Sequence, residues 1–508
     1  MWNLLFIVIL ALGIGIRWYW AEQKEGMHQD EVASFSLAES DDGAYAQPLY
    51  SPGERSRVMT GRDLKSYYFI HDASLTGVLD DLRTMHGRMY VHDHTNFYYS
   101  ILRVFFVGTD TTDVKSIMTR GIVLNLLFFA ASFFVLYRLL SLYYAARPLL
   151  ILVAMACFAL MSGAVSDALF IRPYELQMLT VLLLAWWLSN VSLSIDAGTW
   201  RWSLRNFVVT ALALFGVLWT GYFMVFLVVI FGFFVLLKLW RVGQLKAGIG
   251  YFSAAALAAI GLCRIAYSGY FIGFQGDGRI ADKLLSDGAI DRMWNSILSW
   301  KSLLLHYTMS EYVLVLLVIA AALGWRRAER LPFVVFPAFV FTLVVMLLAP
   351  YFSNRYIVAV TPLLLLSIPA VLSWVRQFWI RHVLAVIVVA IYVSMSVQEC
   401  NIEYLYRKPD ELQLLADKTG QIRIVQRQIW QLRSLIPFLS DDNVYEIAQN
   451  VDFQSYAPGD IVVFSPRFFE EPSVFGSEQF EPCGIYAYYT FYRVKEQPES
   501  AIGSFGNN

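Results

Sequence analysis

Charge is what this chain has least of. Asp, Glu, Lys and Arg make up 16% of its 508 residues, against about 25% in soluble domains. Apolar residues reach 57%, above the roughly 45–50% of soluble domains, so a soluble globular protein is excluded. The two signs nearly cancel at a net charge of -1, and there is no basic arm and no zinc-finger spacing, which excludes nucleic acid as a partner. Cysteine is scarce. The four residues form no CxxC and no Cys/His metal spacing. Cys157 and Cys263 lie in apolar runs, whereas Cys400 and Cys483 lie in the polar C-terminal segment, where a disulfide is an open expectation if that segment faces an oxidising compartment. A secretory signal is also missing its marks. No basic residue precedes the run Leu4 to Ile16 and no small-x-small site ends it, so an uncleaved first helix is expected.

Long apolar runs are abundant, and their lack of residue-by-residue alternation argues for helices rather than a barrel. About eleven spans are expected, near 2–20, 117–138, 148–166, 176–195, 206–221, 223–240, 248–268, 311–325, 332–350, 356–375 and 382–398. Arg138, Arg147, Arg201, Arg205, Lys238, Arg241, Lys246, Arg326, Arg327, Arg330, Arg376 and Arg381 all fall on one side, which marks that side as cytoplasmic. Arg17 and Lys24 disagree, since they flank the far end of the first span. The many loops outweigh them, and three larger pieces are then expected outside: residues 21–116, 269–310 and about 399–508.

The first loop carries aromatic pieces, Tyr67 to Ile70 and Phe97 to Val107, expected as helices lying in the interface. The second mixes Gly273, Gly276, Gly278 and Gly288 with Trp294, Trp300, His306 and Tyr307, the composition of a mobile loop over a site or of an ordinary interfacial belt. The tail reads as a small α/β domain. Strands are expected at Gln421–Val425, Ile461–Phe464 and Ile485–Tyr492, with a helix from Arg427 to Phe438.

Five stretches can carry chemistry. Asp30 and Glu31 follow the first span; adjacency makes their side chains diverge, which argues against a paired-carboxylate glycosidase and leaves one base. Two solvated loop acids, or a first-turn pair favoured by a helix dipole, are the structural alternatives. His92, Asp93 and His94 alternate across two faces, so they suit an acceptor-holding cluster beside Tyr98, or a solvated loop, better than a lone metal site. Arg172 sits where a lipid phosphate would lie, followed by Pro173 and Glu175 as helix starters; its fork suits that phosphate or bulk headgroups. Arg264, inside the seventh run, either snorkels or marks a site. Arg355, in a short outer hairpin with Tyr356, is a further phosphate contact.

In this order the stretches resemble the GT-C superfamily of polytopic glycosyltransferases, and most the branch of protein mannosyltransferases, the lipid A aminoarabinose transferase and bacterial enzymes acting on lipopolysaccharide sugars. Asp30-Glu31-Val32-Ala33-Ser34 is similar to the family's D-E-x-x-S element. His92 to Phe106 is similar to an H-P-P-L-Y-Y-L-L-L-R-L-F element, with Asp93 and His94 replacing the prolines. Ile171 to Leu176 resembles A-R-P-Y-x-L, and Asn354 to Ile357 resembles R-Y-hydrophobic. The likeness covers residues 1 to 375.

The resemblance implies an α-helical polytopic membrane protein, GT-C-like over 1–398, with a small extracytoplasmic α/β domain at 399–508. It implies an inverting glycosyltransferase that takes a sugar from a polyprenyl-phosphate donor to lipopolysaccharide, another envelope glycan or a protein, at the outer face of a bacterial inner membrane. Asp30, with Glu31 beside it, would be catalytic; Arg172, Arg264, Arg355 and Tyr174 would bind the donor phosphate; His92, Asp93, His94 and Tyr98 would shape the acceptor side. No cofactor and no obligatory metal is expected. A flippase of lipid-linked sugars, for which no broken helices are visible in the sequence, and a non-catalytic envelope assembly protein are the alternatives.

Overall fold

The computed structural model describes residues 2–39, 54–69, 72–87, 95–109, 112–271, 289–324, 331–349, 353–407, 410–416, 421–426, 429–449, 457–466 and 479–495. The chain forms two compact units, each assembled from separated pieces: Met1–Lys24, Leu82–Phe105 and Met118–Leu405 in the first, Glu25–Asp81, Phe106–Ile117 and Tyr406–Asn508 in the second.

The first unit is helical, and the chain is a multi-pass membrane protein. Six helices are long and apolar enough to cross a bilayer: Trp2–Gln23 (α1), Val114–Tyr144, Tyr174–Asp196, Met224–Arg241, Leu245–Ala266 and Phe378–Val397. Among the described residues, two broken pairs, Pro148–Leu160 with Ser162–Leu169 (46°) and Ile290–Thr308 with Glu311–Gly324 (87°), bring the number to eight when each pair is taken as one span. The remaining expected runs carry the shorter apolar helices Leu204–Leu218, Val335–Leu348 and Val358–Trp374. Eleven helices of spanning length are therefore not present among the described residues. In the 358–374 run the reason is local, because Pro362 and Pro369 each remove a donor and fragment it into 3₁₀ and short α pieces.

The break after Leu160 has no proline. Met161 simply turns extended (φ -61°, ψ 118°), and α1 packs against the spot. A Cβ on Gly13 would lie 3.0 Å from the Ala159 Cβ and 2.9 Å from the Phe129 ring, so only glycine lets the helices meet this closely. One turn on, Arg17 Nη1 donates to Gly13 O at 2.9 Å and to Ala159 O at 2.6 Å. The carbonyl that the helix end leaves without an intrahelical donor is thereby satisfied.

The second unit holds a six-stranded sheet: β1 Ser56–Thr60, β2 Ile422–Val425, β3 Val444–Ala448, β4 Ile461–Phe464, β5 Phe480–Tyr486 and β6 Tyr489–Val494, in the order β1-β3-β2-β4-β6-β5. β2 runs parallel to β3 and β4, and the other pairings are antiparallel. The strands expected at 421–425 and 461–464 form as the fully buried centre, as apolar runs in parallel sheets do. The sheet also takes β1 from the first loop, with Arg57 opposite Ile447.

Two tail expectations are corrected. The described residues 429–438 form no α-helix: two 3₁₀ segments, Ile429–Ser434 and Ile436–Phe438, stand in its place, with Pro437 blocking continuation. The run 485–492 is a hairpin rather than one strand, reversing where Ala487 adopts φ 55°. The expected interfacial aromatics also turn inward. Tyr98 and Tyr99 on the Phe97–Phe105 helix are buried, as are Tyr68 and Phe69. All four cysteines are free. Gly273, Gly276, Gly278, Gly288, Arg326, Arg327 and Arg330 lie outside the described residues.

Within the second unit, Gly61 opens a short helix capped reciprocally by Thr60 and Asp63. A Cβ there would sit 2.0 Å from the Ser440 carbonyl oxygen, a backbone atom that cannot rotate away. Gly61→Ala is expected to lower stability by about 1–3 kcal/mol, the usual cost of overpacking. Thermal unfolding of the detergent-solubilised full chain checks this, and an unchanged midpoint would show that the 440 loop yields freely.

Candidate functional site

In the second unit, α2 (Gln29–Glu39) starts at the Asp30-Glu31 motif. Glu31 Oε2 accepts the His28 backbone N–H at 2.7 Å, and His28 Nδ1 accepts the Asp30 backbone N–H at 3.1 Å. The pair forms a reciprocal cap with an imidazole where Ser or Thr usually stands. His28 Nδ1 also lies 3.5 Å from Asp30 Oδ2. One ring nitrogen cannot both accept and donate, so the shorter contact assigns the proton of the neutral ring to Nε2.

The two acids thus divide. Glu31 has no exposed surface and its carboxylate closes the helix. The Asp30 side chain is 28% exposed, and the positive end of the helix dipole favours its anion. A part-exposed carboxylate of this kind can take a proton.

The first unit gathers the arginine motif. Asn125 donates from Nδ2 to Ala168 O at 3.2 Å and Phe170 O at 2.8 Å, and its Oδ1 accepts from the Tyr98 hydroxyl at 3.2 Å. Those bonds hold the bend that leads into Arg172. Arg172 is 4% exposed, with its guanidinium carbon 5.9 Å from the Tyr99 ring centroid. Pro173 then stands just ahead of the Tyr174–Asp196 helix. Phe170 stacks on Tyr404 at 4.0 Å and on Tyr174 at 5.9 Å, both nearly parallel.

Charges crowd around this bend. Arg17, wholly buried, lies 3.5 Å over the Phe129 ring and is attracted by Glu175 and Asp167. Asp167 is repelled by Glu175 and Glu403. Among the described residues, neither oxygen of the buried Glu175, nor Asp167 Oδ2, has a hydrogen-bond partner. Glu403 is held from both ends: its N–H donates to Ser166 Oγ at 2.9 Å, and its Oε1 accepts from the Tyr307 hydroxyl at 2.7 Å. Burial first, then Glu403, Tyr174 and Asp167, push the Tyr404 phenol well above its ordinary range, with Arg355 opposing. Tyr404 is therefore a neutral donor at working pH.

Among the expected phosphate ligands, Tyr174 and Arg355 both act on Tyr404, and Arg172 follows Phe170, which stacks on the same ring. Arg355 is half-buried beside the Tyr356 ring. Arg264 is exposed on the last turn of its helix, as snorkelling requires. Tyr98 supports the bend through Asn125. His92, Asp93 and His94 lie outside the described residues. Among the described residues, no group of three His, Cys, Asp or Glu is placed to hold a metal ion.

Arg17, Asp167, Glu175, Glu403 and Tyr404 are additions that the sequence did not mark as site residues. Arg17 and Lys24 are both buried, with Lys24 Nζ donating to Tyr404 O. Arg17 is therefore a buried helix residue rather than a loop cation of the kind that sets orientation, whereas Lys24 lies just past the end of α1. Only the position of Arg17 inside the first expected span, 2–20, could have signalled this.

No family model matches the chain, and no curated protein does. Among solved structures it is similar to the crystal structure of ArnT from Cupriavidus metallidurans bound to undecaprenyl phosphate. The identity is 10% and the TM-score 0.48, over 96% of this chain and 97% of that one. A likeness at that score is too slight to bear on the chemistry of this chain, which rests on its own residues.

Arg17→Met is expected to remove both the donor to Ala159 and the counter-charge to two buried acids, at a cost of roughly 3 kcal/mol. Adding Asp167→Asn should recover part of the loss, because the stranded charge goes with it. Unfolding midpoints of the two variants test this; equal loss in both would mean that the charges are not coupled.

Proposed function

We propose that the chain is an inverting GT-C-type glycosyltransferase that moves a sugar from a polyprenyl-phosphate donor to a hydroxyl-bearing extracytoplasmic acceptor. The observation that carries this reading is the division of labour at α2, where Glu31 is consumed by the cap and Asp30 stays part-exposed. Asp30 accepts the acceptor's hydroxyl proton as that oxygen attacks the anomeric carbon, and the bond from that carbon to the phosphate oxygen breaks. Its electron pair leaves with polyprenyl phosphate. Arg172, buried and 5.9 Å from the Tyr99 ring centroid, stabilises the departing charge in a low-dielectric setting, with Arg355 and the Tyr404 hydroxyl as further partners. Arginine then supplies electrostatic stabilisation without an obligatory metal.

Eleven crossings, an outer-face site in a bacterial inner membrane, and an acceptor among lipopolysaccharide, other envelope glycans or proteins complete this reading. One observation favours a second one. Two helices are broken, at 46° and 87°, and discontinuous helices are what a flippase of lipid-linked sugars would use. Headgroup movement in reconstituted vesicles with no new glycosidic bond would select the flippase.

The transfer reading is tested with radiolabelled sugars on undecaprenyl phosphate and a total envelope extract as acceptor. Asp30→Asn should keep its fold and lose at least about 100-fold in rate, as removal of a general base does. Wild-type transfer by that variant would remove Asp30 from the role. Arg172→Ala should lower kcat/KM for the donor by about 100-fold, and unchanged donor kinetics would show that the phosphate is held elsewhere.

A further inference from the structure

The segment that carries Asp30 is gripped, residue by residue, by the C-terminal tail of the same unit. Phe438 fills the space beside Gly26, where a Cβ would come within 2.3 Å of its ring and 3.1 Å of Tyr406 O. The Tyr406 ring lies 5.7 Å from the His28 ring. The Tyr488 hydroxyl donates to Gln29 Oε1, and Tyr486 lies in the field of Glu31.

Tyr488 is built for this contact. It follows Ala487, whose φ of 55° is left-handed, a conformation that is unfavourable for a residue with a Cβ. Such backbone persists where its surroundings over-determine it. Here the neighbouring Tyr489 is wholly buried; its hydroxyl donates to Gln431 O and accepts from Gln426 Nε2 at 3.2 Å. With its one proton given to Gln29, the Tyr488 oxygen accepts from Ser434 Oγ at 2.7 Å. Ser434 ends the 3₁₀ segment Ile429–Ser434 that follows β2, so the hydroxyl is tied to the tail's own fold.

We propose that the tail is the positioning scaffold for the candidate base, and that Tyr488 is a positioning residue. Through Gln29 it fixes where α2 begins, and so the direction in which Asp30 points. It touches no reacting atom. The proposal rests on the reading of Asp30 as base, and its test is arranged so that the two can fail separately.

The test uses the full-length protein in detergent or nanodiscs. Tyr488→Phe removes one oxygen and keeps the ring; Gln29→Ala removes the same bond from the other side. Each should accelerate hydrogen–deuterium exchange across residues 26–33 while the unfolding midpoint stays unchanged. Each should lower kcat by about 10-fold or more with donor KM unaltered, because neither substitution touches the arginines proposed to hold the donor's phosphate. The double variant should be no worse than either single one. Wild-type exchange and kcat in both variants would overturn the proposal. So would a lowered midpoint with exchange raised throughout, the mark of a merely structural tyrosine. If Asp30→Asn transfers normally, the base reading falls, and local exchange alone still decides whether Tyr488 sets the start of α2.

Discussion

A permanent charge with no access to water is the constraint on which the membrane unit depends. Arg17 cannot shed its proton, and its desolvation is offset only by what surrounds it: two carbonyls, an aromatic face and the field of two acids. Each of those has a structural consequence. Ala159 can accept because its helix stops at Leu160, and the stop redirects the chain into the Ser162–Leu169 segment, which carries Asp167. Gly13 makes the approach close enough for the bond to form. The kink, the acid and the arginine are therefore one arrangement, and the bend that presents Arg172 begins from it.

The second unit solves a different problem, which is how to keep one carboxylate accessible while its neighbour is withdrawn. The N-terminal end of a helix needs acceptors for its orphan N–H groups. Glu31 and the His28 ring meet that need locally, so the Asp30 carboxylate is not required to close the helix. The chemistry expected of Asp30 depends on this satisfied end as much as on the residue itself.

Part of this was legible in the sequence. Ile461–Phe464 and the run after Gln421 are short, β-branched and apolar, and they form the central strands as such runs should. Pro173 followed by Glu175 announced a helix start. β1 and β3 were not legible, because Ser-Arg-Val-Met-Thr and Val-Tyr-Glu-Ile-Ala carry mixed patterns whose pairing is decided by distant partners. The cap at α2 was hidden by an N-terminal imidazole in place of a hydroxyl. Glu403 and Tyr404 had no signal at all, since what defines them is a contact with Ser166, Tyr307 and Phe170, far away in the chain. Arg17 was visible as an oddity in the loop charges and became intelligible only once it was seen to be buried.

The pairing of β1 with β3 carries a topological rule. Strands of one sheet must lie on the same side of a bilayer, so the chain between residues 60 and 444 crosses an even number of times. The six long helices and two broken pairs make eight; one precedes β1, which leaves seven, an odd number. Eight full crossings are thus incompatible with the sheet, whereas eleven satisfy it. Among the described residues, that parity is met when an odd number of the shorter apolar helices also traverses the membrane, or when one of the broken pairs turns back to the face it entered. Strand order in this small sheet therefore fixes the parity of everything inserted between β1 and β3.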